Sequence, residues 1–254
     1  MEMSLRFVAL GVGDAFSALY YSSSLLVFAG EGPSQSRLLI DFPDPLRKVL
    51  REASAACGMD LGVGSINAAI LTHLHGDHVN GLECFGFYKR FIDGKRPTLY
   101  AAGPVLADLW DGRLRGAMGQ LKTPSGTTHS LVLDDYFDCR VLTPGSPATI
   151  GPFQVEVRAT QHHIPCYALR IAAGGRTLAY SCDTLFDRDL VDWLAAGSDL
   201  VIHETNYATH TPYASLLTLP AEIRARMRLI HYPDDFEVER SQIECLRQGR
   251  VYEV

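Results

Sequence analysis

Thr72-His73-Leu74-His75-Gly76-Asp77-His78 decides the fold of this chain, because it places three histidines and a carboxylate within six residues. It directly follows a largely apolar segment, residues 66–71, which is typical of a buried strand that delivers side chains from its carboxyl end. Imidazole and carboxylate are the ligands that borderline divalent metals prefer, and zinc takes both at about 2 Å. A polar turn rich in histidine is the alternative, but chance rarely produces this spacing. The loop is therefore predicted to be a metal site.

Composition and charge limit the classes of protein that fit. The chain has 254 residues, of which 47% are apolar and 20% charged, as in an ordinary globular protein. No repeat or linker divides it, so one domain over residues 1–254 is expected. The formal charge of −6 argues against a protein that grips extended nucleic acid. Lys89-Arg90 and Lys95-Arg96 form a basic cluster that is more typical of a solvated loop than of a phosphate contact.

Cysteine spacing and hydropathy bear on the compartment. The six cysteines lie far apart without CxxC pairs, so neither a disulfide framework nor a zinc knuckle is indicated. No segment has the length and apolar character of a signal sequence or a membrane span. We therefore expect a cytoplasmic protein without membrane contact.

Strand-like segments are present in both halves of the chain, with helical patterns between them. Apolar spacing predicts helices over residues 45–56, 79–91, 105–115 and 187–196, and alternation predicts short strands, one of them over residues 131–133. Such a mixture favours an α+β protein in which sheet packs on sheet with helices outside. Four polar residues directly follow strand-like segments, the position at which such folds build their sites. They are His162, Asp183, His203 and His231.

These motifs together resemble the metallo-β-lactamase superfamily, whose hallmark is an HxHxDH loop, and within it the ribonuclease Z-like branch of phosphodiesterases. The resemblance implies a four-layer αββα sandwich. It extends in order over most of the chain, through Leu10-Gly11-Val12-Gly13, His73-Leu74-His75-Gly76-Asp77-His78, His162-His163-Ile164-Pro165-Cys166-Tyr167, Tyr180-Ser181-Cys182-Asp183-Thr184, Ile202-His203-Glu204-Thr205 and Ile230-His231.

The resemblance implies two divalent metal ions held by seven side chains. Zinc is expected first, with manganese and iron(II) as alternatives. Two such ions about 3.5–4 Å apart would activate a water molecule as hydroxide and clamp the oxygens of a reacting phosphoryl or acyl group. His163 is an alternative to His162. The implied ligands are His73, His75 and His162 for one ion, Asp77, His78 and His231 for the other, and Asp183 as the bridge.

Asp77, His203 and Glu204 are the candidate catalytic residues. His203 is a candidate general acid for the leaving alcohol, because imidazole titrates near neutral pH. The alternative is a histidine at the edge of the core that is hydrogen-bonded by Glu204. Gly11-Val12-Gly13 lacks the rest of a dinucleotide-binding motif and is interpreted as a strand-end turn. The remaining histidines considered, interpreted as surface or packing residues, are His129, His163 and His210.

Two departures from ribonuclease Z bear on the substrate. No long basic arm lies between His78 and His162, and acidic residues stand after the last histidine, in Tyr232-Pro233-Asp234-Asp235. We therefore predict hydrolysis of a small phosphodiester, such as a cyclic or short nucleotide. The alternatives are an acyl hydrolase acting on a thioester or lactone, and a ribonuclease Z-type endonuclease acting on RNA 3′ ends.

Two further classes are weaker matches. A di-iron redox protein is disfavoured, because His75 stands where such relatives carry a carboxylate. A metal-free binding module would leave seven candidate ligands without a role. For the oligomeric state, a homodimer is one alternative.

Overall fold

Two seven-stranded mixed sheets form the centre of the molecule in the computed structural model, which describes residues 4–32 and 35–254. A two-stranded hairpin lies apart from both sheets. Within the described residues the strands are β1 (Leu5–Gly11), β2 (Ser24–Ala29), β3 (Ser36–Ile40), β4 (Ala68–Ile70), β5 (Thr98–Ala102), β6 (Gln120–Lys122), β7 (Thr128–Ser130), β8 (Asp138–Leu142), β9 (Ala148–Ile150), β10 (Phe153–Ala159), β11 (Tyr167–Ala173), β12 (Arg176–Tyr180), β13 (Leu200–Glu204), β14 (Met227–Ile230), β15 (Glu244–Cys245) and β16 (Val251–Glu253).

Each sheet has an antiparallel part and a parallel part. The first sheet has the order β16-β1-β2-β3-β4-β5-β8, and its strands run parallel from β3 to β8. The second has the order β15-β14-β13-β12-β11-β10-β9, and its strands run parallel from β12 to β15. Hairpin β6–β7 is the third, separate sheet.

Helices cover the outer faces of the two sheets. Helix α6 is capped by Asp187, the first residue of the predicted helix, since its carboxylate accepts hydrogen bonds from the backbone N–H groups of Asp189 and Leu190, at 2.9 and 3.3 Å. Among the described residues the α-helices are α1 (Leu46–Cys57), α2 (Gly76–Val79), α3 (Gly81–Phe91), α4 (Gly103–Leu109), α5 (Arg115–Met118), α6 (Arg188–Ala195), α7 (Tyr213–Leu217) and α8 (Ala221–Ala225).

Alternating side chains of the first sheet divide the core in two. Phe7 and Val27 point into the core that the two sheets share, whereas Val8 and Leu26 point into the core beneath α1 and α3. Helix α6 packs on the second sheet, through side chains such as Leu190. The layers are therefore helix, sheet, sheet and helix, as the predicted α+β αββα sandwich requires.

Most helices and strands lie where the sequence pattern placed them, but the strand predicted over residues 131–133 is wrong. Leu133–Asp135 is instead a single 3₁₀ turn, and Asp135 closes it by accepting a hydrogen bond from the backbone N–H of Val132 at 2.8 Å. An aspartate that bonds to the nearby backbone competes with strand pairing, and the alternation does not reveal this. In the described part of the chain, no helix combines the length and apolar character needed to cross a membrane.

Candidate metal centre

The predicted ligands meet at one edge of the sandwich because each follows a strand that ends there. The histidine loop follows β4, His162 follows β10, Asp183 follows β12 and His231 follows β14. Parallel strands bring their carboxyl ends to the same edge of a sheet, so residues far apart in the chain converge. The two sheets present these ends to one another across the shared core.

Four side chains form the first group of candidate ligands. His75 Nδ1 lies 3.1 Å from His73 Nε2 and 3.1 Å from His162 Nε2. Asp183 Oδ2 lies 3.5 Å from His73 Nε2. Ligands about 2 Å from a tetrahedral ion are about 3.3 Å from one another, so this group has the dimensions of one zinc-sized site.

A second group shares Asp183 with the first. Asp77 Oδ2 lies 3.2 Å from His231 Nε2 and 3.3 Å from His78 Nε2. Asp183 Oδ1 lies 3.4 Å from His78 Nε2, and its other oxygen lies 3.6 Å from His231 Nε2. Asp183 thus contacts both groups, which is the position that a bridging carboxylate needs.

Two buried atoms of the centre test whether a cation fits there. His78 Nε2 and Asp183 Oδ1 are buried and accept or donate no hydrogen bond among the described residues. A buried polar atom without a partner costs free energy, and a divalent ion at this point would satisfy both atoms. The residues therefore fit a pair of divalent ions.

The protonation states of the ligands also favour a cation. Burial lowers the pKa of His75 to about 4 and of His162 to about 3, so both rings are neutral and free to coordinate. Burial would raise the pKa of Asp183, but His231 and His78 hold it well below its usual value. Burial would lower the pKa of His231, but Asp183 and Asp77 raise it to about 9. The carboxylates thus favour positive charge at the centre.

Asp41 orients the second group and was not among the residues predicted from the sequence. Its Oδ2 lies 2.8 Å from Nδ1 of His78, and its Oδ1 accepts a hydrogen bond from the backbone N–H of Thr72 at 2.8 Å. A carboxylate on the far ring nitrogen fixes the orientation of a ligating histidine. The available signal was its place directly after the apolar strand β3, since the same rule located Asp183.

The chain is similar to known proteins over almost its whole length. A family model described as "Anti-Pycsar protein Apyc1" matches residues 5–252. The chain belongs to this family. Its Apyc1 relative from Paenibacillus sp. (strain J14) is 35% identical over 262 residues, covering 98% of this chain and 99% of the relative. The Apyc1 protein of Bacillus phage BSP38 is 32% identical over 259 residues, covering 96% of each.

A solved structure supports the fold of this Apyc1-family chain. The metallo-β-lactamase fold protein YhfI from Bacillus subtilis superimposes with a TM-score of 0.75 at 20% identity, covering 99% of this chain and 100% of YhfI. The predicted metallo-β-lactamase fold is confirmed. The protein is a metal-dependent hydrolase.

In this Apyc1-family chain, His203 is buried away from the cavity in which a substrate would bind. It is completely buried, and it is not among the described residues that line the cavity over the metal centre. Its Nδ1 lies 2.7 Å from the backbone carbonyl oxygen of Glu204, a contact that agrees with the alternative interpretation of a core histidine hydrogen-bonded by Glu204. Burial lowers its pKa to about 4, which keeps the ring neutral at neutral pH. Its role as general acid stays a prediction.

The side-chain carboxylate of Glu204 contacts a different histidine, His210, which was interpreted from the sequence as a surface or packing residue. Glu204 Oε1 lies 3.0 Å from His210 Nδ1 and accepts a hydrogen bond from the backbone N–H of Thr184 at 2.8 Å. The His210 ring lines the cavity, with its centroid 5.0 Å from that of His231. The interpretation of His210 as a surface or packing residue omitted both this partner and this position. Its signal was a glutamate at a strand end followed six residues later by a histidine.

His162 and His163 also separate in the structure. The His162 ring enters the first ligand group, whereas the His163 ring lies at the cavity wall, with its centroid 4.6 Å from that of His75. The geometry favours His162 as the ligand. His163 contributes to the cavity wall, so its interpretation as a surface or packing residue omitted this position.

An open cavity of about 650 Å³ lies over the metal centre. This volume is within the range of small-molecule sites. Its lining comes from the histidine loop, from the segment that carries His210, and from a loop near the amino terminus. The lining includes Phe16, Asp77, His163, Asp183, His210 and His231.

Proposed function

We propose that the protein hydrolyses a small phosphodiester and that its substrate is a cyclic nucleotide. The observation that carries this proposal is the position of Asp183 between the two ligand groups, at the base of a cavity whose wall holds His210. Two-metal centres of this kind suit in-line displacement at phosphorus. Family membership supports the proposal, since the Apyc1 family is one of cyclic-nucleotide-degrading enzymes.

The residues that would hold the metals are the seven predicted from the sequence. When bound, two divalent ions at this centre supply a lowered pKa for attacking water and neutralise the charge that develops on the phosphoryl oxygens. We propose zinc, because imidazole and carboxylate in tetrahedral groups suit it. The ligands are His73, His75 and His162 in one group, Asp77, His78 and His231 in the other, and Asp183 in both.

His210 is the proposed donor of a proton to the leaving oxygen. Its Nδ1 faces the buried carboxylate of Glu204, which fixes the orientation of the ring. One of its ring nitrogens lies within 4.8 Å of ligand atoms of Asp183 and His231. His210 is therefore close to the proposed reacting centre, whereas His203 is completely buried.

Surface charge and shape favour a small substrate over RNA. The hairpin β6–β7, over residues 120–130, is exposed and lies between His78 and His162 in the chain. Lys122 is its sole lysine or arginine, so it lacks the charge needed to hold a polyphosphate backbone. Homodimer formation and a cytoplasmic location remain predictions from the sequence.

The test is a substrate panel with zinc-loaded protein. We expect rapid hydrolysis of a 3′,5′-cyclic nucleotide, slower hydrolysis of bis(p-nitrophenyl) phosphate, and little turnover of p-nitrophenyl acetate or a thioester. Metal content is measured in the same samples. Turnover of the acyl substrates alone would establish the acyl hydrolase instead, and hydrolysis of a transfer RNA precursor alone would establish the endonuclease.

A further inference from the structure

A closed loop near the amino terminus, residues 14–21, forms one rim of the cavity. The backbone N–H of Gly13 donates to the carbonyl of Tyr21 at 3.0 Å, and the N–H of Ser23 donates to the carbonyl of Gly13 at 3.0 Å. A Cβ at Gly13 would lie 2.7 Å from Cβ of Ser17, so only glycine permits this close approach. The predicted strand-end turn is thus the base of a rim loop.

Asp234, from a distant part of the sequence, holds this loop by hydrogen bonds. Its Oδ2 accepts a hydrogen bond from the backbone N–H of Ala18 at 2.7 Å, and its Oδ1 accepts one from the N–H of Leu19 at 3.3 Å and one from the Ser17 hydroxyl. The bonds from Ser17 and Ala18 lower the pKa of Asp234, so it is ionised at neutral pH. The acidic segment that departs from ribonuclease Z therefore holds the rim loop.

Asp14 ties the same loop to the metal centre. Its Oδ1 accepts a hydrogen bond from the backbone N–H of Phe16 at 2.9 Å, and its Oδ2 accepts one from Nδ2 of Asn206 at 2.9 Å. The same Nδ2 lies 3.0 Å from the backbone carbonyl oxygen of His231. The backbone of Phe16 is thus positioned relative to His231, a candidate metal ligand.

Phe16 is the side chain that this loop presents at the cavity. It is 92% exposed, and among the described residues that line the cavity it alone carries an aromatic carbocycle. The other lining side chains are small, polar or imidazole, which suits them to the phosphate and the metals. An exposed aromatic ring at the rim of a polar cavity has the geometry of a stacking surface for a flat, uncharged group.

We propose that Phe16 stacks on the base of the cyclic nucleotide and that Asp234 is the residue that positions it. This inference rests on the proposed function. With the phosphate held at the metal centre, the base projects toward the rim, where the exposed face of Phe16 lies. Stacking of a base on an aromatic side chain is strong enough to contribute measurably to substrate affinity.

The test compares two substrates that differ only in the base. One is a 3′,5′-cyclic nucleotide, and the other is 1-deoxyribose 3′,5′-cyclic phosphate, which has the same ring phosphate and no base. We expect Phe16→Ala to raise KM about tenfold for the nucleotide, with little change in kcat, and to leave both constants unchanged for the base-free compound. Phe16→Trp should restore the nucleotide KM. The matched control is Leu19→Ala, which removes an exposed apolar side chain from the same loop outside the cavity.

The positioning role of Asp234 has its own readout. Asp234→Ala should raise the nucleotide KM without affecting the base-free substrate, and it should add almost nothing in a Phe16→Ala background, because both changes remove one interaction. The dissociation constant of a slowly hydrolysed phosphorothioate analogue should follow the same pattern.

Three outcomes would overturn the inference. Equal effects of Phe16→Ala on the two substrates would show that Phe16 does not contact the base. Fully additive effects of the two substitutions would remove Asp234 from the role. Failure of the wild-type protein to hydrolyse either cyclic phosphate, with metals bound, would overturn the proposed function and this inference together.

Discussion

The metal centre beneath the cavity (the seven candidate ligands, called the floor) and the rim of the cavity (residues 14–21 and 206–211) are built in different ways. His73, Asp183 and His231 on the floor are at most 2% exposed, whereas Phe16 and Tyr207 on the rim are 92% and 61% exposed. Floor side chains follow strands at a sheet edge, but the rim depends on hydrogen bonds between distant loops. A rigid floor suits a metal centre, and a separate rim allows the recognised group to differ while the chemistry is retained.

The largest effect is expected from the floor residue that both ligand groups share. Asp183→Asn should lower kcat/KM about a thousandfold and reduce the bound metal, because a neutral amide cannot replace the shared carboxylate. Steady-state kinetics and elemental analysis measure the two quantities. Asp189→Asn, at an exposed carboxylate in the first turn of α6, is the control. Full metal content with nearly normal activity would remove Asp183 from the centre.

A smaller effect should separate the two histidines that contact Glu204. His210→Gln is expected to lower kcat about a hundredfold while the metal content stays normal, since it removes the proposed proton donor. His203→Gln should lower kcat less than about tenfold, because His203 does not line the cavity. The reverse order of effects would assign the general acid to His203, as the sequence analysis predicted.

A substitution at Asp41 tests whether this residue supports the ligand His78. Asp41→Asn should weaken zinc binding about 10- to 100-fold, because it removes the ionised partner of His78 Nδ1. Competition with a chromophoric chelator measures the affinity. Activity should return when zinc is in excess, and a variant that stays inactive at saturating zinc would show that Asp41 acts in another way.

The smallest effect concerns the pH dependence of stability. Burial lowers the pKa of His203 to about 4 in the folded chain, from about 6.5 when unfolded, so the unfolded state binds the extra proton first. The stabilisation is complete above pH 6.5 and is lost as the pH falls toward 4. Between pH 7.5 and 5 the wild-type metal-free protein should lose about 2 kcal/mol of unfolding free energy that His203→Gln does not lose. Urea unfolding at the two pH values measures it, and parallel losses would contradict a buried neutral His203.

The metal ligands of the floor could be predicted from the sequence because short, local sequence patterns indicate them. The histidine loop is one continuous motif, His231 directly follows the apolar strand β14, and Asp183 stands three residues after the end of β12. The structure brings all seven predicted ligands into two adjoining groups. Asp41 also follows an apolar strand, and it was not predicted only because that strand lies outside the quoted motifs.

The rim could not be predicted because its contacts join distant positions. Asp234 and Ser17 are 217 positions apart, and Asn206 and Asp14 are 192 apart. Neither pair has a periodic pattern or a motif. Glu204 was found as part of a motif, but its partner His210 lies in an irregular loop. In such a loop a single sequence does not indicate which way a side chain points. Local patterns likewise gave most helices and strands but not the order of strands in the two sheets.

The most direct test of the shared floor is a crystal structure of the zinc-loaded protein with anomalous data collected at the zinc absorption edge. We predict two anomalous peaks about 3.5–4 Å apart, one beside His73 and the other beside His78, with Asp183 between them. A single peak, or two peaks that do not share Asp183, would contradict the account.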